Sequence, residues 1–470
     1  MAEHINIAKA AIDDAQKGLR APFVKKITGL VENKAPLGPN WLYLAQSSAQ
    51  LGELSLVKQC LKFIGNDQTN VKEVIQKGGL LAQLGLVDDA MITLASIPAE
   101  KRDHAWFHFA GVLASQKGQF DEAEKLLDST LEVAPLSGPT WLAYAKLGKV
   151  NMERFKQLQQ LENQFAKTDK LNYCQYLYAM AELYDLYDNK AKADSFYDQA
   201  TAVARSISSP EPYIVEEQQA LVEKIITQHG DEFFDKFPES SSTDTPIFII
   251  GQPRTGTTLL SKLLTSHSMI HGGEEQVLCS KALSPVKIGQ IFDEKTKAIP
   301  MEQHLGLMEH FLSQHKHLLN QKGVASAHLN VDKTLDLINY VGFLSKVYPK
   351  ACFVFVEREQ SDAKWSCYKN FFNVGLGWSY DKNLIDSYFA EFERLKAHWF
   401  KHLGDKAISI NYEKLVTSPN DELQKLCESL DVSFEDNMLA FYKTSEAVQT
   451  ASFRQVRNPL NTDSIGQGRF

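Results

Sequence analysis

The chain has 470 residues, of which 44% are hydrophobic and 23% charged, the balance of a globular protein rather than a disordered or fibrous one. At this length a single core is too small, and two or three domains are expected. The formal charge of −8 excludes a general affinity for nucleic acid, which needs a basic face to displace phosphate counterions, but it leaves room for a local basic pocket. The opening MAEHINIAKAAIDDAQKGLR holds no apolar stretch of signal-peptide length. No run approaches the roughly 18 apolar residues that span a membrane. Cys60, Cys174, Cys279, Cys352, Cys367 and Cys427 are scattered without a C-x-x-C pair, and they read as buried thiols rather than disulfides or a zinc site. A cytoplasmic protein, without a membrane segment and without nucleic acid as a partner, is expected.

From the N-terminus to about residue 205 the pattern is helical and repeats. "LAQSSAQLGELSLV", "LLAQLGLVDDA" and "VLASQKGQFDEA" align on Gly52, Gly85 and Gly118, each 33 residues after the last. Trp106 and Trp141 open equivalent helices, and "PNWLYLAQ" echoes "PTWLAYAK". Glycine suits the tight turn between two helices, where a Cβ is not tolerated. A further pair runs through Tyr176, Ala179, Ala181 and "NKAKADSFYDQA". The period and the small/large pattern resemble tetratricopeptide repeats. Such an array either serves as packed scaffolding or offers a concave surface to a protein partner or a large acceptor, and the sequence leaves both open.

Residues 206–245 follow as a charged helix and the polar, Pro-bounded "FPESSSTDTP". From Ile247 strands and helices alternate, which predicts an α/β domain on a mainly parallel sheet over 246–470. "PIFIIGQPRTGTTLLSKLL" gives a short β-branched strand ending at Gly251, a glycine turn, and a helix from about Thr257. That geometry aims backbone N–H groups and the positive helix end at an anion. The spacing G-x-x-x-x-G-T-T is P-loop-like, but Thr257 stands where the P-loop lysine belongs, which counts against a nucleotide-dependent kinase. Arg254 supplies the cation instead.

The string "GQPRTGTTLL" resembles the 5′-phosphosulfate loop of sulfotransferases that use 3′-phosphoadenosine 5′-phosphosulfate, with Thr255 for the commoner Ser. The resemblance implies that Arg254, Thr255, Gly256, Thr257 and Thr258 bind the donor's 5′-phosphate. Arg358 and Ser366, at the end of "ACFVFV" and on the next helix, match the family's 3′-phosphate pair. An Arg fork and a hydroxyl two helical turns on are chemically suited to that task. Lys333 lies 25 residues before Arg358, where the family carries a lysine that neutralises charge on the leaving group.

A general base must take the acceptor's proton. Cytosolic relatives place a His two residues after the lysine, but here that position is Leu335. "SHSMIHGGEEQ" offers Glu275, at the spacing of the G-E-E in tyrosylprotein sulfotransferases, as the base. Glu274 then serves as a structural partner, and His271 is the weaker rival. Toward the C-terminus Tyr412-Glu413 reads as structural. "TASFRQVR" resembles the closing segment of the tetratricopeptide-bearing, tyrosylprotein-like branch, which implies Ser452 at the donor's sulfonyl end with Gln455 and Arg457 shaping the pocket. The ending "GQGRF" departs from that branch's usual final segment.

The expected architecture is therefore α + α/β: a helical solenoid over 1–205, a connecting helix and linker over 206–245, and a P-loop-like sulfotransferase domain over 246–470. The implied reaction moves a sulfonyl group onto an acceptor hydroxyl, on a peptide tyrosine, a carbohydrate or a small molecule, with no metal. A scaffold built on an inactive nucleotide fold is the alternative from another class.

Overall fold

The computed structural model describes residues 2–65, 70–149, 151–207, 213–272, 277–284, 301–324, 329–372, 376–443, 448 and 453–470. Glu274, Glu275 and Ser452 lie outside the described residues.

The first 206 residues fold as antiparallel helical hairpins. Asn40–Gln50 pairs with Leu54–Leu61, Val71–Gln83 with Val87–Ala95, His104–Gln116 with Phe120–Val133, and Lys170–Leu186 with Lys190–Ser206. Three of the turns are closed by Gly52, Gly85 and Gly118 at φ 79°, 79° and 77°. That left-handed conformation is close to free for glycine and costly for other residues, which accounts for the periodic glycines. Trp41 and Trp141 are fully buried, and each indole N–H donates to a carbonyl on the preceding loop, of Ala35 and Pro135 respectively.

A five-stranded sheet follows, in the order β2-β3-β1-β4-β5 with every pairing parallel. The strands are β1 Ile247–Ile250, β2 Ile270–Gly272, β3 Leu329–Asp332, β4 Cys352–Glu357 and β5 Ala407–Asn411. All four residues of β1 are buried, as a central parallel strand covered on both faces requires. Beyond β1 the chain runs to one side of the sheet, and beyond β4 to the other. The ends of these neighbouring strands thus form the crevice where open α/β sheets bind ligands.

The two halves share one core. Tyr178, Tyr197 and Ala200 of the last hairpin belong to the same buried cluster as Trp365, Tyr368, Trp378 and Phe389 of the α/β half. Tyr197 meets Trp365 edge to face at 5.6 Å, and the Tyr368 hydroxyl donates to Asp198 at 2.8 Å.

The turns of the hairpins also lie against the α/β half. A Cβ on Gly52 would sit 2.4 Å from Leu318, and one on Gly118 would sit 3.2 Å from Arg457. Lys322 donates to the Leu84 carbonyl at 3.4 Å and Arg457 to that of Gln116 at 3.1 Å. Glu53, buried behind the first of these turns, pairs with Arg20 at 3.1 Å and meets His317 of the α/β half at 2.9 Å.

The polar stretch read as a linker is laid down rather than loose: the Ser240 amide and hydroxyl donate to the carbonyls of Lys346 and Val347. Among the described residues, no helix is long and apolar enough to cross a membrane.

Candidate functional site

The loop after β1 is built to face an anion. Gly251 has no room for a side chain, since a Cβ there would lie 2.6 Å from Thr255 Oγ1. Gly256 takes φ 104°, and a Cβ on it would sit 2.4 Å from the Tyr412 ring. Arg254 itself adopts φ 71°, a left-handed conformation that costs a non-glycine residue of order 1–3 kcal/mol and persists only where the surroundings enforce it. The helix Thr257–Thr265 begins at once, with Thr257 and Thr258 in its first turn. The N–H groups of a helix's first turn and the helix dipole favour negative charge there.

The enforcement at Arg254 is visible. Its Nε donates to the Ser366 hydroxyl at 2.9 Å and its Nη2 to Gln455 Oε1 at 3.5 Å. Its backbone carbonyl accepts from Arg358 Nη1 at 2.8 Å. Arg358 lies over the Tyr412 ring at 4.7 Å, and its Nη2 donates to the Ser464 carbonyl. Burial holds the Arg254 guanidinium below its ordinary pKa, with Arg358 adding to the effect. It nevertheless remains a cation, because guanidinium does not deprotonate in proteins.

These groups open on one cavity of about 1060 Å³, large enough for a nucleotide together with part of a second substrate. Arg254, Gly256, Thr257, Thr258, Arg358 and Ser366, all singled out in the sequence, line it. Thr255 does not: it is buried, and its hydroxyl is turned into the loop, donating to the Gln252 carbonyl at 2.8 Å. Lys333 is buried at the end of β3 and is not part of the wall. His271 lies on the edge strand β2, exposed and away from the wall. Arg457 is spent on Gln116 in the helical half, whereas Gln455 reaches the cavity.

Sequence reasoning missed several wall residues. Lys146 of the helical half, Lys369 and Arg454 join Arg254 and Arg358 to give five cations, against the carboxylates of Asp336, Asp362 and Asp463. A chain of charge −8 thus carries a basic pocket. Asp362 is occupied by the C-terminal segment, accepting the amides of Gly466 at 2.8 Å and Gly468 at 2.6 Å. The far wall is aromatic, with Trp378 stacked on Tyr388 at 4.0 Å and Tyr213 edge-on to Tyr388 at 6.4 Å.

Asp336 stands apart from the rest of the wall. Burial, and then the Asp332 carboxylate, push its pKa from 3.8 to about 6. Because the folded value exceeds the unfolded one, the ionised group destabilises the fold above pH 6, and the penalty fades as pH falls toward 4. Asp336→Asn is therefore expected to raise stability near neutral pH by on the order of 1–2 kcal/mol, discounted for partial exposure. The gain should vanish near pH 4, which urea unfolding at the two pH values checks.

The chain is similar to several known proteins. A 231-residue stretch is 29% identical to an uncharacterised protein of Aquifex aeolicus (strain VF5), covering 48% of this chain and 30% of the relative. A 234-residue stretch is 22% identical to Protein-tyrosine sulfotransferase 1 of Danio rerio, covering 47% of this chain and 64% of that protein. The chain thus spans less than a third of the length of the Aquifex relative. Among solved structures, the sulfotransferase domain from the curacin biosynthetic pathway aligns with a TM-score of 0.33 at 18% identity, over 48% of this chain and 96% of that one. Residues 246–436 match the family model described as "Sulfotransferase family", and the sheet, the loop after β1 and the Arg358–Ser366 pair all lie within that matched stretch.

Proposed function

We propose that the chain transfers a sulfonyl group from 3′-phosphoadenosine 5′-phosphosulfate to an acceptor hydroxyl. The observation that carries this reading is the convergence of Arg254, Thr257, Thr258, Arg358 and Ser366 on one basic cavity, from segments more than a hundred residues apart. In this reading the amides of residues 254–258, with the Thr257 and Thr258 hydroxyls, hold the 5′-phosphate. Arg358 and Ser366 hold the 3′-phosphate. Arg254 and Ser452 stabilise charge on the sulfonyl group and the departing phosphate, Lys333 acts on the same charge from behind the wall rather than across it, and Glu275 takes the acceptor proton.

As the acceptor oxygen bonds to sulfur, the bond from sulfur to the bridging phosphate oxygen breaks, and the proton leaves for the carboxylate. Ser366 already accepts from Arg254 Nε, so in the proposed complex it links the two phosphate ends of the site. The aromatic wall of Tyr213, Trp378 and Tyr388 gives an acceptor ring a surface to lie on, which favours a tyrosine or other phenolic hydroxyl over a polar sugar. The helical hairpins are proposed to be tetratricopeptide-type units.

Calorimetric titration with 3′-phosphoadenosine 5′-phosphate, beside ATP with magnesium and 5′-AMP, tests the donor site. Binding of the first, absent for 5′-AMP and weakened in Arg358→Ala by about 1.5–3 kcal/mol, is the expected result for a charge-assisted contact. A preference for ATP would return the kinase reading, and no binding of any nucleotide would return the scaffold reading.

A further inference from the structure

Behind the cavity, and not part of its wall, three side chains from separate elements meet: Cys279 on the helix Leu278–Leu283, His315 on the helix Met301–Gln321, and Asp332 at the end of β3. They are 1%, 3% and 6% exposed, and their ligand atoms all lie within 4.8 Å of one another. The sequence could not announce this group, because its members are 36 and 17 residues apart and none belongs to a paired motif.

We propose that Cys279, His315 and Asp332 form a buried three-ligand site for a divalent transition metal, zinc by its ligand chemistry.

Each ligand is already oriented by an outer partner. The His315 Nδ1 lies 2.6 Å from the Tyr348 hydroxyl, which fixes the ring. Its Nε2, fully buried, has no hydrogen-bond partner among the described residues and faces the other two ligands. An imidazole anchored through one nitrogen and open at the other is how metal-bound histidines are held. Asp332 is anchored through Oδ1, which accepts from the Thr334 amide at 3.0 Å and hydroxyl at 2.6 Å.

Ligand type selects the ion. A thiolate and an imidazole beside one carboxylate suit zinc or its neighbours, whereas calcium and magnesium require oxygen ligands. Binding would replace the Cys279 thiol proton with the dication. The ion's role is positional. Asp332 directly precedes Lys333, so a bound metal ties the end of β3, and the turn that carries Asp336, to two helices.

The full chain, purified without chelator, should contain zinc by plasma mass spectrometry. After stripping, titration with Co²⁺ alone should reach about one ion per chain and give a near-ultraviolet thiolate-to-cobalt band. Cys279→Ser should lose that band, and Tyr348→Phe should weaken Co²⁺ binding roughly 10–100-fold. Chelator should lower the melting temperature of the wild type and leave that of Cys279→Ser unchanged. If Cys279→Ser does not fold, the wild-type melts with and without chelator decide the matter on their own. A stripped wild type that takes up no Co²⁺, a band that survives in Cys279→Ser, or a melt indifferent to chelator overturns the site. None of these readouts depends on donor binding, so the metal proposal and the sulfonyl-transfer reading stand or fall separately.

Discussion

Arg254→Ala is expected to lower kcat for sulfonyl transfer by roughly 10²–10³-fold, the cost of removing one preorganised donor from developing transition-state charge. The side chain is pinned at Nε by Ser366 and at Nη2 by Gln455, on a backbone held at φ 71°, so its charge is placed before any ligand arrives. Alanine keeps the Arg254 carbonyl, and with it the hydrogen bond from Arg358. Affinity for 3′-phosphoadenosine 5′-phosphate should therefore fall much less than kcat. Lys at this position restores a charge but cannot span Ser366 and Gln455 together, so it should recover only a small part of the rate. Radiolabelled donor with a panel of phenolic and carbohydrate acceptors, set beside calorimetry on the same variants, reads both quantities. A variant that keeps the wild-type kcat would remove Arg254 from the chemistry.

Glu275→Ala should cost between about 10²- and 10⁴-fold in kcat, the usual contribution of a positioned base. Glu275 lies outside the described residues, and its assignment rests on the G-E-E resemblance and on its flanks. Gly272 ends β2 in register with Val331, next to the strand that leads into Lys333. Val277, two residues after Glu275, lines the cavity and donates its amide to Thr334 Oγ1 at 3.1 Å. Asp336, with its pKa pushed up to about 6, is a carboxylate of the cavity wall able to exchange a proton near neutral pH. Turnover that survives in Glu275→Ala and collapses in Asp336→Asn transfers the role to Asp336. Loss in Glu275→Ala, together with a retained rate and pH profile in Asp336→Asn, keeps it where it is.

What could be read from the sequence was what is written contiguously. The loop after β1 is one unbroken string, and its strand, turn and helix fall as expected, with Gly251 and Gly256 each filling a place that has no room for a Cβ. The periodic glycines likewise announced the helical turns. Lys146, Lys369 and Arg454 were invisible because a solitary basic residue carries no signal until folding brings it to a wall. Asp336 sits one residue past Leu335, the position searched for a base, and only the 3-10 turn Leu335–Asn339 brings it onto the cavity. Strand β2 has three residues, Ile270–Gly272, too few for any alternation to show. The ending "GQGRF", which departs from the tyrosylprotein-like branch's usual final segment, is seated: Arg469 pairs with Asp185 at 2.8 Å and lies over Trp365 at 4.6 Å.

The contact between the hairpin turns and the α/β half has a consequence for how the chain could change over generations. Free solenoids gain and lose units easily, because each unit touches only its neighbours. Here Gly52 meets Leu318, Leu84 meets Lys322, Gly118 meets Arg457 and Gly148 meets Arg454, so successive turns are matched to fixed points on another surface. Inserting or deleting one unit would slide every later turn off its mate and carry Lys146 out of the cavity wall. The number of hairpins is therefore set by the domain they rest on, and new length can be added only beyond the last turn that touches it.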